Sequence, residues 1–152
     1  MTQQLDAQDR QLLELMQTDA ALSVADLAEK VGMSKSACWR RIQKFEENGT
    51  IRQRVTLLDP ARLGLGLTVF VTIRTNQHNA AWAEKFKSVV QSVEGVLEVY
   101  RLGGQIDYLL KAVVPDMPGY DRLYQKLIEA DLFDVTASFV MEEIKLTTVL
   151  PL

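Results

Sequence analysis

The side chains in this sequence most able to bind a charged partner are basic residues clustered between positions 30 and 54. They are Lys30, Lys35, Arg40, Arg41, Lys44, Arg52 and Arg54. Only Glu46 and Glu47 oppose them, so this segment carries a net charge of +5 in a chain whose total is −3. A compact basic segment in an acidic protein is typical of a local nucleic-acid footprint, although a solvated charged face would give the same pattern.

The residue types that other kinds of chemistry need are scarce. Cys38 is the only cysteine and His78 is the only histidine. A single cysteine cannot form an intrachain disulfide, and this pair argues against a Cys/His metal site and against most catalytic triads. We favour a small buried hydrophobe over a redox switch at Cys38, because it lies on the apolar side of a predicted helix. We therefore expect no enzyme activity, no metal and no cofactor.

Three short helices are predicted to carry the basic segment. Asp6, Ser23 and Ser34 each precede a stretch with apolar residues at helical spacing, and their side chains are typical N-caps. Gly32 separates the second and third helices, because glycine tolerates the left-handed conformation of a tight turn. Two helices joined in this way predict a helix-turn-helix, whose last helix enters the major groove of DNA.

The third helix has one apolar side. Cys38, Ile42 and Phe45 recur at the spacing of one helix face, so the opposite side is predicted to be exposed. The residues expected to contact DNA lie on that side, on its flanks or just beyond it: Ser34, Lys35, Ser36, Trp39, Arg40, Arg41, Lys44 and Arg54. Those near the start of the helix are placed to read bases, and the later basic residues to bind phosphates.

Two of these residues have further interpretations. Trp39 is predicted either to contact DNA or to pack against the first helix, and the sequence leaves both open. Arg40 is well suited to guanine, because its guanidinium fork matches the O6 and N7 acceptors.

The second half of the chain has the rhythm of strands and helices. Strands are predicted at 67–73, 96–102, 107–114 and 134–146, with helices starting after Asn79 and at Asp116. This βαββαβ order predicts a ferredoxin-like αβ-sandwich. Its sheet would carry helices on one face only, so we expect a second copy to cover the other face.

The fold class is therefore α+β, with two domains. We place a helix-turn-helix (winged-helix-like) DNA-binding domain at 1–50 and a linking strand and hinge at 51–66. The strand of this linker is predicted at 51–58, before the turn residues Asp59-Pro60. The βαββαβ domain for effector binding and oligomerisation takes residues 67–152.

Several stretches, in order along nearly the whole chain, resemble the Lrp/AsnC ("feast or famine") transcriptional regulators. In the first half they include Leu27-Ala28, Val31-Gly32-Met33-Ser34, Cys38-Trp39-Arg40-Arg41-Ile42 and Leu58-Asp59-Pro60. In the second half they are Gly103-Gly104-Gln105-Ile106-Asp107-Tyr108-Leu109-Leu110, Val114-Pro115-Asp116-Met117 and Met141-Glu142-Glu143-Ile144-Lys145. The resemblance is specific because the pieces occur together at matching separations.

The resemblance implies a regulator that binds double-stranded DNA, forms homodimers that assemble into tetramers or octamers, and responds to an amino acid of the leucine, methionine or cysteine class. It places the effector near the turn between the second and third strands of the sensor domain. The residues carried over are Gly103, Gly104, Gln105, Asp107 and Tyr108, with Thr136 and Ser138 nearby. Family members often have Gly-Asp-x-Asp at this turn, whereas Gln105 here replaces one carboxylate with an amide, which affects the charge around an α-ammonium.

Two other functions are compatible with the same sequence features. An architectural DNA-binding oligomer with little sequence preference and no amino-acid effector would share the same helices, and a winged domain can also bind protein. The sequence contains no stretch that is apolar for the roughly 20 residues of a membrane helix. Its first residues lack a basic start and an apolar core, so we expect a cytoplasmic, nucleoid-associated protein.

Overall fold

The computed structural model describes residues 4–152 and divides the chain into two compact units. The N-terminal unit runs to Leu57 and also contains Lys145–Leu152, and the C-terminal unit comprises Leu58–Ile144. The last residues were expected in the sensor domain. They group with the N-terminal unit, where the Gln17 side-chain amide donates to the carbonyl of Leu150 (3.2 Å) and accepts from its N–H (2.6 Å).

The N-terminal unit contains three helices. They are α1 (Ala7–Thr18), α2 (Val24–Val31) and α3 (Lys35–Glu47). The predicted caps are confirmed: the side chains of Asp6, Ser23 and Ser34 each accept a hydrogen bond from the backbone N–H three residues later. Gly32 adopts φ 70°, which gives the sharp turn between α2 and α3. Residues at the helix ends therefore determine where the helices of the helix-turn-helix begin and end.

A small apolar core holds these helices together. Cys38, Ile42 and Phe45 are at most 3% exposed, which confirms the predicted inner side of α3. They pack with residues of the other two helices: Leu12, Leu13, Leu27, Ala28 and Val31. Because α3 contributes one face only to this core, its opposite face is left exposed.

The prediction of a strand at 51–58 is wrong. These residues have no regular secondary structure. The backbone N–H of Ile51 donates to the carbonyl of Phe45 (2.8 Å), which ends α3, and the residues after Ile51 are exposed. An alternating sequence forms a strand only where another strand pairs with it, and none within residues 4–152 does so here.

The C-terminal unit is the predicted βαββαβ sandwich. Its elements are β1 (Leu67–Arg74), α4 (Ala80–Ser92), β2 (Val96–Arg101), β3 (Tyr108–Val114), α5 (Met117–Leu127) and β4 (Asp134–Phe139). All neighbouring strands are antiparallel, in the order β2-β3-β1-β4. Short turns of 3-10 helix at Ala61–Leu63 and Ile128–Ala130 complete the unit.

One face of the sheet packs against the helices. Val69, Val71 and Ile73 alternate toward that side and are fully buried, with Trp82 and Phe86 of α4 in the same core. The ring of Tyr108 also lies on the helix side, since Tyr108 pairs with Ile73 across the sheet. Within the C-terminal unit, no helix packs on the other face, as the connectivity predicted.

One detail of this unit differs from the sequence prediction. β4 ends at Phe139 and not at 146, although the N–H of Val140 still donates to the carbonyl of Thr68 in β1 (2.9 Å). On α5 the buried residues are Gly119, Leu123 and Leu127. No helix within residues 4–152 is long and apolar enough to cross a membrane.

Candidate functional site

Three exposed cations on α3 form no ion pair with any side chain of residues 4–152. Lys35, Arg40 and Lys44 are exposed, and within the described residues 4–152 none of them forms an ion pair. Ser36 lies at the start of the same helix, and its hydroxyl is 3.2 Å from that of the cap residue Ser34. The arrangement leaves positive charge on α3 available for an anionic partner.

Arg41 belongs to the same basic segment but has a different environment. Its Nη1 lies 2.6 Å from the carboxylate of Asp6 and also donates to Asp9, and its Nη2 is 3.3 Å from the side-chain oxygen of Gln8. The Arg41 side chain is only 30% exposed. The hydrogen bond from Arg41 lowers the pKa of Asp6, and the two carboxylates raise the pKa of Arg41. This guanidinium therefore joins α3 to the start of α1.

Arg54 has one partner. Its Nη2 lies 2.8 Å from Glu46 Oε1, and both side chains are nearly half exposed. An exposed pair of this kind contributes little to stability, since water screens both charges. Arg54 can therefore exchange Glu46 for another anion at small cost.

The structure distinguishes between the two interpretations of Trp39. The residue is 50% exposed and is not part of the core formed by α1, α2 and α3. It lines an open groove with Val24, Lys35 and Ser36, at the starts of α2 and α3. Trp39 therefore lies on the outer surface of the helix-turn-helix, as the DNA-contact interpretation requires.

The C-terminal unit contains a polar cavity of about 260 Å³. It lies where the loop after β1 meets the start of α4 and the end of β2. Its lining includes Thr75, His78, Arg101, Asp107 and Tyr108. The carboxylate of Asp107 accepts from the backbone N–H of Thr75 (2.8 Å), so the acid also fixes the shape of that loop.

Only two of the seven predicted effector residues, Asp107 and Tyr108, line this cavity. The others do not: Gly103, Gly104, Gln105, Thr136 and Ser138. The two glycines and Gln105 form the exposed turn beyond the cavity. Thr136 and Ser138 lie on the open face of β4, because they pair with Thr72 and Phe70, whereas Tyr108 points to the helix side.

Sequence reasoning missed Arg101 and the loop from Thr75 to Asn79. Arg101 is exposed, lines the cavity, and forms no ion pair within residues 4–152. Arg101 could have been found from the sequence, because it ends a predicted strand directly before the turn expected to bind the effector. Residues 75–79 line the cavity only because the loop after β1 folds next to the end of β2, and no sequence pattern indicated that. Within the described residues, no cluster of three or more His, Cys, Asp or Glu could hold a metal ion.

Both units match known protein domains. Residues 5–46 match the AsnC-type helix-turn-helix domain, and residues 68–150 match the Lrp/AsnC ligand binding domain. A glutamate uptake regulatory protein of Zymomonas mobilis is 50% identical over all of this chain and 93% of its own length. The DNA-binding transcriptional activator DecR of Escherichia coli is 45% identical over 97% of this chain and 99% of its own.

Solved structures agree with these relatives. An AsnC family transcriptional regulator from Agrobacterium tumefaciens matches with a TM-score of 0.91 and 50% identity over 97% of both chains. A transcriptional regulator from Neisseria meningitidis, solved as a complex with L-Met, matches with a TM-score of 0.91 and 33% identity, again over 97% of both chains. The prediction of a regulator and not an enzyme is confirmed, and the chain belongs to the Lrp/AsnC family of transcriptional regulators.

Proposed function

We propose that this regulator binds double-stranded DNA through the outer face of α3, and that an amino acid bound in the C-terminal unit changes its DNA affinity or its assembly. The observation that carries the DNA assignment is a set of three exposed cations on one helix of a helix-turn-helix, none of which forms an ion pair within residues 4–152: Lys35, Arg40 and Lys44. Duplex DNA complements this surface, because it carries one phosphate charge per about 1.7 Å of its axis.

The roles of the residues follow their positions on α3. Lys35, Ser36, Trp39 and Arg40 lie in its first half, which faces base edges when such a helix enters the major groove. Lys44 lies in the last turn and suits a phosphate. Arg54 contributes a second phosphate contact by exchanging its partner Glu46.

Arg41 takes a different role in this proposal. Its guanidinium is held by two carboxylates of the N-terminal unit, so it supports the orientation of α3 and contributes less than Arg40 to phosphate binding.

The polar cavity of the C-terminal unit has the chemistry of an amino-acid site. Arg101 offers a guanidinium to an α-carboxylate, and Asp107 offers a carboxylate to an α-ammonium. Both charges of a zwitterion then find an opposite charge in one cavity. The turn residues Gly103, Gly104 and Gln105, and the strand residues Thr136 and Ser138, stay in the proposal as groups that reach the ligand from a second copy of the chain.

The named relatives support an amino-acid effector without fixing its identity. One was solved with L-Met, and another carries a name that refers to glutamate uptake. We propose the leucine, methionine or cysteine class as first candidates. A homo-oligomer in the cytoplasm, associated with the nucleoid, is the form in which we expect the protein to act.

The DNA assignment is tested by selecting bound duplexes from a random pool and then measuring affinity for the enriched site and for scrambled DNA at one fixed salt concentration. A regulator is expected to prefer its site by at least about 1,000-fold. Arg40→Ala should lower the affinity for the site, and the matched variant Arg10→Ala, on an exposed position of α1, should leave it unchanged. Equal affinity for both duplexes would favour the architectural alternative.

The effector assignment is tested by thermal shift of the full chain with each of the twenty amino acids. A ligand that binds only the folded protein raises its melting temperature by mass action. Asp107→Asn should abolish the shift, because its amide oxygen still accepts from Thr75 while the charge that attracts an ammonium is gone. Asp121→Asn, on the exposed side of α5, is the matched control and should keep it. No shift with any amino acid would contradict the assignment.

A further inference from the structure

An apolar patch interrupts the cationic surface of the helix-turn-helix. Trp39 is half exposed, and beside it lies Val24, the first residue of α2, which is only partly buried. Together with Lys35 and Ser36 they line a groove of about 540 Å³ that is open to solvent. Lys35 and Ser36 lie one turn before Trp39 on the same helix, so the patch occupies the first half of α3.

The exposure of Trp39 has no explanation within the N-terminal unit. A fully packed aromatic side chain buries roughly 150–250 Å², so exposing an indole to water has a large free-energy cost. The core of this unit is complete without it, since the neighbouring Cys38 and Ile42 fill the inner side of α3. Its Nε1–H donates no hydrogen bond within residues 4–152. The side chain is therefore free to contact a partner.

The surroundings of the patch narrow the choice of partner. Arg40 and Lys44 lie on one exposed side of the helix and Lys35 at its start, and none of the three forms an ion pair within residues 4–152. The partner must therefore be an anion that also presents a small apolar group next to the helix. In the major groove of DNA the only such group is the C5-methyl of thymine.

We propose that Trp39 and Val24 form a binding surface for the 5-methyl group of one thymine in each half-site; this inference rests on the proposed DNA-binding function. The face of the indole covers the methyl group, and Val24 closes the groove from α2. Lys35 and Ser36 form its polar rim and contact the adjacent phosphate or base edge. Trp39 is then a residue that selects sequence, whereas Lys44 contributes affinity at any sequence.

The test uses the full chain and removes only the methyl group from DNA. The enriched site from the duplex selection is resynthesised with each thymine in turn replaced by deoxyuridine, and affinities are measured at one salt concentration. For the wild-type chain we expect one position in each half-site where the replacement weakens binding about fourfold, as the loss of one buried methyl group predicts. Trp39→Ala should bind thymine and deoxyuridine duplexes equally.

Two further variants keep the result decisive. Lys44→Ala should weaken binding to both duplexes and preserve their ratio, because it contacts phosphate in either case. Trp39→Phe should retain part of the ratio, since an apolar ring still covers the methyl group. Melting temperatures close to that of the wild type would show that each variant is folded.

The outcomes distinguish failure of the thymine contact from failure of the proposed DNA-binding function. Binding to an enriched site with no deoxyuridine effect at any position would overturn the thymine contact while leaving the regulator assignment intact. A full deoxyuridine effect in Trp39→Ala would also overturn it, because another residue would then read the methyl group. Failure of the selection to enrich any sequence would instead reject sequence-specific binding itself, and the thymine contact with it.

Discussion

The guanidinium of Arg41 in the recognition helix lies 2.6 Å from the carboxylate of Asp6, the residue that caps α1. The same nitrogen also donates to Asp9, which completes the capping box at the start of that helix. Two neighbouring arginines of one helix therefore have different environments. Arg40 is exposed, and Arg41 links α3 to the start of α1.

This difference predicts opposite effects for two matched substitutions. Arg41→Met should lower the free energy of unfolding by about 1–2 kcal/mol, because Asp9 is mostly buried and loses its charged partner. Arg40→Met should leave stability within about 0.5 kcal/mol of the wild type and weaken DNA binding, with the salt slope falling by about 1. Urea titration and binding at several salt concentrations measure both. Equal stability of the two variants would contradict the role assigned to Arg41.

The same ion pair predicts a dependence on pH. Arg41 holds the pKa of Asp6 below its ordinary value of 3.8, so the carboxylate is more acidic in the folded chain than in the unfolded one. Such a group stabilises the fold fully above the unfolded pKa and loses that contribution as the pH falls through the folded pKa. The melting temperature of the wild type should therefore drop more steeply below about pH 4 than that of Asp6→Asn. Parallel curves for the two proteins would argue against this linkage.

Cys38 is expected to be inert in the folded protein. The residue is fully buried, and burial raises the pKa of its thiol. Since the thiolate is the reactive form, a thiol reagent should label Cys38 quickly in denaturant and very slowly in the native state. Cys38→Ser should cost about 2 kcal/mol, because a hydroxyl in that core has no partner. Rapid labelling of native protein, or loss of DNA binding after mild peroxide treatment, would support a redox switch instead.

Gly95 is the glycine whose replacement should harm the C-terminal unit most. It has φ +90°, and a Cβ there would lie 2.6 Å from the carbonyl oxygen of Val113. The carbonyl belongs to strand β3, and the Cα that would carry the new Cβ lies in the turn between α4 and β2, so neither can move cheaply. Gly95→Ala should therefore destabilise the protein by about 2–3 kcal/mol. Gly66→Ala is the control, because its added Cβ meets nothing within 4 Å, and its melting temperature should stay close to that of the wild type.

Local features of the sequence determined the helices and the sandwich. A capping residue such as Ser23 acts on an N–H three positions away, so it marks the same helix start in any context. Likewise, the alternation of Val69, Val71 and Ile73 specifies a strand with one buried face, and the order of such elements specified the βαββαβ topology. The exposed face of α3 followed from the spacing of its apolar residues.

Tertiary structure decided the features that depend on partners distant in sequence. Arg41 and Asp6 are 35 residues apart in sequence, and no pattern near either residue predicts the hydrogen bond between them. Residues 51–58 have the alternation of a strand, but no strand within residues 4–152 pairs with them. Sequence spacing also could not reveal that Thr136 and Tyr108 lie on opposite faces of the sheet, because pairing register sets the face on which each side chain stands.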